Sequence, residues 1–312
     1  MDPQEIEATD ARASLLMKEG IRLTQSDNDA EALPYFDRAL ELRRLLPAEV
    51  PRYAYGLSAC WLNRAEALSR LGSHAQALHA YREALALLRT LPLGEDARFS
   101  KRLAIALQNR ALVLAAQNPP AVADAIAALA EAISVLHSAE AMDATERGYL
   151  LAVVWMNLAN TQASEASIAS DLAARESARR TLGLVKAREH EDAAAAEAGL
   201  KARHVLCHIV ARRLSLQAKG ETTLADVTEA TDLADEGLAL VRDWERRGVD
   251  RFRNLASDLF RFGGRVYAHY QPHFLEEFLS EQLDPEQSAL SYLQCREMQD
   301  AAREIEANRR KP

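Results

Sequence analysis

The chain has 312 residues, 48% hydrophobic and 27% charged, a soluble balance that fits two ordinary domains or one elongated repeat domain. Its net charge of −8 is evenly spread, with 16 Lys and Arg against 20 Asp and Glu in residues 1–150 and 22 against 26 in the rest, so no basic half or stripe points to nucleic acid. Three distant cysteines (Cys60, Cys207, Cys295) argue against a disulfide framework, and no run approaches the ~18 apolar residues of a membrane span. With no apolar signal core after Met1, a cytoplasmic protein without membrane contact is expected.

Aromatics are scarce and alanine is abundant, which favours helix nearly everywhere. The helices are predicted in pairs. In the first, 12–47, Leu16, Gly20, Leu23, Ala32, Phe36 and Ala39 set a pattern of large and small residues. In the second, 51–92, Trp61, Ala65, Leu68, Ala77, Tyr81 and Ala84 keep the same offsets. Small Ala65 and Ala77 allow close helix approach, while Trp61 and Tyr81 fill the space beside them. Gly72 should end the first helix of this pair and Ser73 should cap the second.

The third pair, 95–137, carries Leu107-Gln108-Asn109-Arg110-Ala111 before Ala125, Leu129 and Ala132, with two extra residues at Asn118-Pro119-Pro120. The fourth, 143–190, restarts with Trp155-Met156-Asn157-Leu158-Ala159 and closes on the charged run Glu189-His190-Glu191-Asp192, read as a solvated turn. The fifth, 193–247, is degenerate, with Ala230, Ala234 and Gly237 in its second helix; its Arg203, Arg212 and Arg213 could form a distinct second surface. The sixth, 249–283, runs from Asn254 to Phe262-Gly263. A capping helix is expected over 285–309, with Asp284 as N-cap, Pro285 first, and Leu290, Leu293, Met298, Ala301 and Ile305 as its apolar stripe.

These residues resemble the tetratricopeptide repeat (TPR) family. The resemblance implies an all-α α-solenoid, a right-handed superhelix of about six helix pairs forming a single domain. The repeat is long: Asn63 to Asn109 is 46 residues, Asn109 to Asn157 is 48 and Asn157 to Asn254 is 97, against about 34 in the standard repeat. Lengthened repeats are loosely similar to those of kinesin-light-chain-like and bacterial peptide-sensing members.

In this family the first helices of successive pairs line a concave groove. Lys18, Asn63, Asn109, Asn157 and Asn254 stand at equivalent positions, and Leu62, Leu112, Met156 and Asn160, with Ile105 and Val153, are expected beside them. An amide offers a donor and an acceptor, so a row of Asn can grip the backbone of an extended peptide. The competing reading is that these amides solvate a helix face or bond to the next helix.

The expected function is protein–protein interaction, as adaptor or regulator, with a protein or peptide partner. The alternative is a structural scaffold that self-associates through convex or terminal surfaces as a homo-oligomer. A metal role is the weakest reading: His204 and His208 share a helix face with Cys207 at ligand spacing, yet no His-Glu-x-x-His motif accompanies them, and ordinary partly buried histidines explain them better. His269 and His273 repeat that spacing across Pro272. No catalytic constellation, cofactor motif or phosphate loop is present, Gly263-Gly264 reading as close helix packing, so no enzyme activity and no cofactor are expected.

Overall fold

The computed structural model describes residues 2–215, 223–270 and 272–283, together with 299–300, 302–304 and 307. The described elements are all helical: α1 (Pro3–Thr24), α2 (Asp29–Arg43), α3 (Pro51–Arg70), α4 (His74–Leu88), α5 (Ala97–Ala115), α6 (Val122–His137), α7 (Ala144–Ala163), α8 (Ile168–Val185), α9 (Ala193–Ser215), α10 (Leu224–Arg246), α11 (Arg253–Tyr270) and α12 (Pro272–Leu283). They form two compact units, residues 1–150 and 151–312. No described helix is long and apolar enough to cross a membrane. The stripe expected on a capping helix, Leu290 to Ile305, lies outside the described residues.

The first unit is made of three hairpins, α1/α2, α3/α4 and α5/α6, with α2 packed on α3 and α4 on α5. The small residues of the repeat sit where the helices touch. Ala32, Ala39, Ala65, Ala77, Ala84, Ala125 and Ala132 have no exposed surface, and Ala111 almost none. Phe36, Tyr81 and Leu129, at the large positions of the second helices, are buried beside them. Gly20 shows how tight the seam is, because a Cβ there would lie 2.5 Å from the Phe36 ring.

Helix length accounts for much of the long period. The first helices of these hairpins span 22, 20 and 19 residues. Their ends are set by local chemistry. Asp2 accepts from the Glu5 amide at 2.8 Å and Pro3 suits the first turn, so α1 begins well ahead of residue 12. Gly72, at φ +74°, ends α3 as expected: its N–H bonds to Ser69 O and the Ser73 N–H to Leu68 O, the two bonds of a Schellman motif. Ser73 occupies the N-cap of α4 but makes no side-chain capping bond, contrary to the expectation from sequence. Its backbone N–H is already committed to closing α3.

In the second unit α9 packs against α8, α10 and α11, and α12 packs on α11. Capping boxes open two of these helices, Ser167 with Ser170 on α8 and Thr223 with Asp226 on α10. Ala230 and Ala234 are fully buried, and Gly263 approaches α10 so closely that a Cβ would fall 2.8 Å from that of Ala234. Close packing therefore explains Gly263 in α11.

Two expectations fail here. Arg203, Arg212 and Arg213 do not form an outer surface. The Arg203 side chain is 1% exposed and pairs with Glu189 at 2.7 and 2.8 Å and with Glu236 at 3.1 Å, while Arg212 and Arg213 both pair with Asp171. Nor is Glu189 solvated: its side chain is 4% exposed, and the Trp244 indole N–H donates to its carbonyl at 2.8 Å. The 189–192 segment is a turn, but its first carboxylate points inward, where the buried guanidinium requires a counter-charge.

Removing one member of such a pair strands the other. Glu189→Ala is expected to lower unfolding free energy by about 3–5 kcal/mol. The half-exposed Glu236→Ala should cost about 1 kcal/mol or less. Urea melts followed by circular dichroism measure both, and similar losses for the two variants would contradict the assignment of Glu189 as the principal counter-charge.

Candidate partner-binding cleft

Between α3 and α5, the first helices of successive hairpins, lies a cleft of about 370 Å³. Ala59 and Leu62 on α3 and Ile105 and Ala106 on α5 give it an apolar floor. The alanines leave the space, since a larger side chain at either position would fill it. Asn63, Glu66 and Asn109 stand at one end, and Tyr55, Arg98, Lys101 and Arg102 at the other.

The amide end is already partly wired into the protein. Asn63 Nδ2 donates to Ala59 O at 2.8 Å, one turn back on its own helix. Asn109 Nδ2 donates to Glu66 Oε1 on α3 at 3.2 Å. Burial pushes the Tyr81 hydroxyl well above the usual phenol range, so it stays protonated. Asn109 thus ties α5 to α3 and performs the helix-to-helix bonding that competes with ligand gripping. Asn63 keeps its carbonyl oxygen free of intramolecular partners among the described residues.

The cationic end escaped the sequence reading. Arg98 is held by Asp96 at 2.6 Å and Lys101 is paired with Glu146. Arg102 is different. Its guanidinium lies 3.8 Å over the Tyr55 ring and donates to Tyr55 O at 3.4 Å, and among the described residues it has no carboxylate. Burial holds its pKa below the usual guanidinium value, although it stays charged. A desolvated cation on an aromatic face, without a counter-ion, is a strong seat for an acceptor oxygen.

The remaining expected residues lie elsewhere. Lys18 is exposed on α1, and Leu112 is exposed on α5 outside the cleft lining. In the second unit, Asn157 is half-buried on α7, Asn160 is exposed and donates to Met156 Sδ at 3.0 Å, and Met156 is buried. Asn254 is exposed in the first turn of α11. Of the residues expected in a groove, the cleft brings together Leu62, Asn63, Ile105 and Asn109.

His204 and His208 stack on one another at 6.2 Å between ring centroids, with Phe262 at 5.2 and 4.9 Å. Cys207 turns the other way, donating to Ala230 O at 3.3 Å, and burial pushes its thiol up to about 12. Among the described residues no group of three or more His, Cys, Asp or Glu side chains gathers as a metal site. Burial lowers both imidazole pKa values; for His204 Asp258 opposes the shift, and for His208 Arg212, His204 and Arg265 add to it while Asp171 opposes it.

The sign follows from linkage. The unfolded chain takes up these protons first as pH falls below about 6.5, so the stability the neutral rings contribute is complete above that pH and lost below it. Melting temperature should fall between about pH 7 and pH 5, and the His204→Leu/His208→Leu variant should show a shallower fall. Identical slopes in differential scanning fluorimetry would show that other groups set the pH dependence.

No protein-family model matches the chain, and no curated protein matches it either. Solved structures do. The Nro1 nuclear import adaptor of S. pombe superposes with a TM-score of 0.59 at 13% identity, covering 95% of this chain and 99% of its own. A kinesin-light-chain protein with nearly identical TPR-like repeats from Podosopora anserina gives 0.54 at 16% identity over 76% of this chain and 98% of its own. BtubC (BKLC) of P. vanneervenii gives 0.51 at 16% identity over 97% and 91%. At such identities the likeness is one of fold: this chain has the all-helical fold of TPR-like repeat proteins.

Proposed function

We propose that the protein is a protein-interaction module that takes an extended segment of a partner in the α3/α5 cleft. The observation that carries this reading is the composition of the cleft: an apolar floor, the free carbonyl of Asn63 and the unpaired Arg102 within one space. About 370 Å³ suits one or two apolar side chains of a partner, the dimension of an interface anchor and not of a whole interface. Asn63 would hold a backbone amide of the segment, and Arg102 a backbone carbonyl or an acidic side chain, as strand-like peptides are held elsewhere. Within the first unit Lys18 and Leu112 would add to such contacts, and within the second Met156, Asn157, Asn160 and Asn254 would offer contacts of the same kind. The fold of Nro1, a nuclear import adaptor, is compatible with an adaptor role.

The test follows from the division of labour among the amides. Because Asn109 bonds to Glu66 of α3, Asn109→Ala would confuse binding with stability, costing up to about 1 kcal/mol for the lost inter-helix hydrogen bond. Asn63→Ala/Ile105→Lys removes the free amide and fills the floor from half-exposed positions. Affinity capture from the native cell extract, read by mass spectrometry, should retain a partner on the wild type and lose it on this variant, with melting nearly unchanged. The same proteins recovered on both would move binding off this cleft.

A further inference from the structure

A second groove, of about 340 Å³, runs between α4 and α5 and shares no lining residue with the first. Leu78, Arg82, Leu85 and Arg89 line it from α4, and Arg110 and Leu114 from α5. The α4 residues follow at intervals of four, three and four, so Leu and Arg alternate along one stripe of that helix. The stripe extends about 16 Å at the helical rise. Leu85 and Leu114 form a buried floor and Leu78 is half-buried.

The charges in this groove are unbalanced. Arg89 is satisfied by Glu131 of α6 through two bonds of 2.9 and 2.8 Å. Arg82 and Arg110 have neither a carboxylate nor a hydrogen-bond acceptor among the described residues. Elsewhere in the same unit Arg43 pairs with Asp10, Arg64 with Asp37 and Arg70 with Asp29. Among the described residues neither arginine stacks on an aromatic ring, as Arg102 does. Arg82 is exposed and Arg110 half-buried beside these leucines, so both are open to carboxylates supplied by a partner.

We propose that this groove is a second docking surface, for an acidic amphipathic helix of a partner protein. Such a helix would carry Leu and Glu at i and i+4 spacing, so that its carboxylates meet Arg82 and Arg110 while its leucines cover Leu78 and the floor. Arginine favours a carboxylate because its fork can donate two parallel bonds, and the apolar floor discriminates against a plain polyanion. The surface is independent of the α3/α5 cleft, from which α5 turns Arg110 and Leu114 away while presenting Ile105 and Asn109 to it.

The probe is a fluorescein-labelled synthetic helical peptide with Glu and Leu at those spacings, titrated against the full chain by fluorescence anisotropy. Wild type should bind it. Arg82→Glu/Arg110→Glu should weaken binding by about tenfold or more, and Arg82→Gln/Arg110→Gln by less, circular dichroism showing native helicity in both. Replacing the peptide leucines by alanine should weaken binding as well, and Asn63→Ala/Ile105→Lys should leave it unchanged. Four outcomes would overturn the proposal: no binding by the wild type, equal binding by the charge-reversed variant, loss of binding in the cleft variant instead, or a leucine-free polyglutamate or short RNA bound as tightly as the probe.

Discussion

Two helices can approach to backbone contact only where both present small side chains, and that constraint organises the first unit. Ala32, Ala39, Ala65, Ala77 and Ala84 lie fully buried along the seams, with Gly20 so close to Phe36 that a methyl group has no room. Small residues alone would leave gaps, so Phe36, Trp61 and Tyr81 complete the packing. Once the seams fix how each hairpin closes, the angular position of every other residue on its helix follows. Leu62 and Asn63 then face a cleft because Trp61 and Ala65 face the core.

This is also why so much of the fold was legible. A period of small and large residues is a one-dimensional record of helix contact, and Gly72 marks a helix end because φ near +74° suits a residue without a side chain. The site was only half legible. Leu62, Asn63 and Asn109 were visible through their offsets from the repeat, yet Tyr55 and Arg102 were not, although each stands two turns before a recognised residue, Tyr55 before Leu62 and Arg102 before Asn109. Extending the helical period backward would have reached them. The role of Asn109 was beyond such reasoning, since it depends on Glu66, from another helix.

The second unit obscured its own logic for a different physical reason. Where the alanine pattern weakens, buried ion pairs fasten the helices: Arg203 to Glu189 and Glu236, Arg175 to Asp226 and Glu229, Arg212 and Arg213 to Asp171. In sequence these residues look like solvated faces, because charge is usually exposed and nothing in a linear pattern tells which arginine will find three carboxylate oxygens. The sparse glycines carry the corresponding signal. Gly199 lies where a Cβ would meet Glu189 Oε2 at 2.6 Å, and Gly237 where one would meet Leu259 at 2.6 Å and the Arg203 stem at 3.2 Å. Small residues here make room for charge instead of for a neighbouring backbone.

Buried pairs and alanine seams differ in what they contribute. A seam gains dispersion and apolar burial at every contact and tolerates sliding, because one alanine resembles the next. A buried guanidinium gains little net energy after desolvation, yet it penalises every register except the one that supplies its carboxylates. The first unit relies mainly on shape, adding the inter-helix pairs Arg43–Asp10 and Arg70–Asp29, and its Arg82, Arg102 and Arg110 have no carboxylate among the described residues. In the second unit the arginines Arg175, Arg203, Arg212 and Arg213 are consumed in holding the helices together. Arg82, Arg102 and Arg110 are therefore not committed to a carboxylate among the described residues, whereas the core arginines of the second unit are.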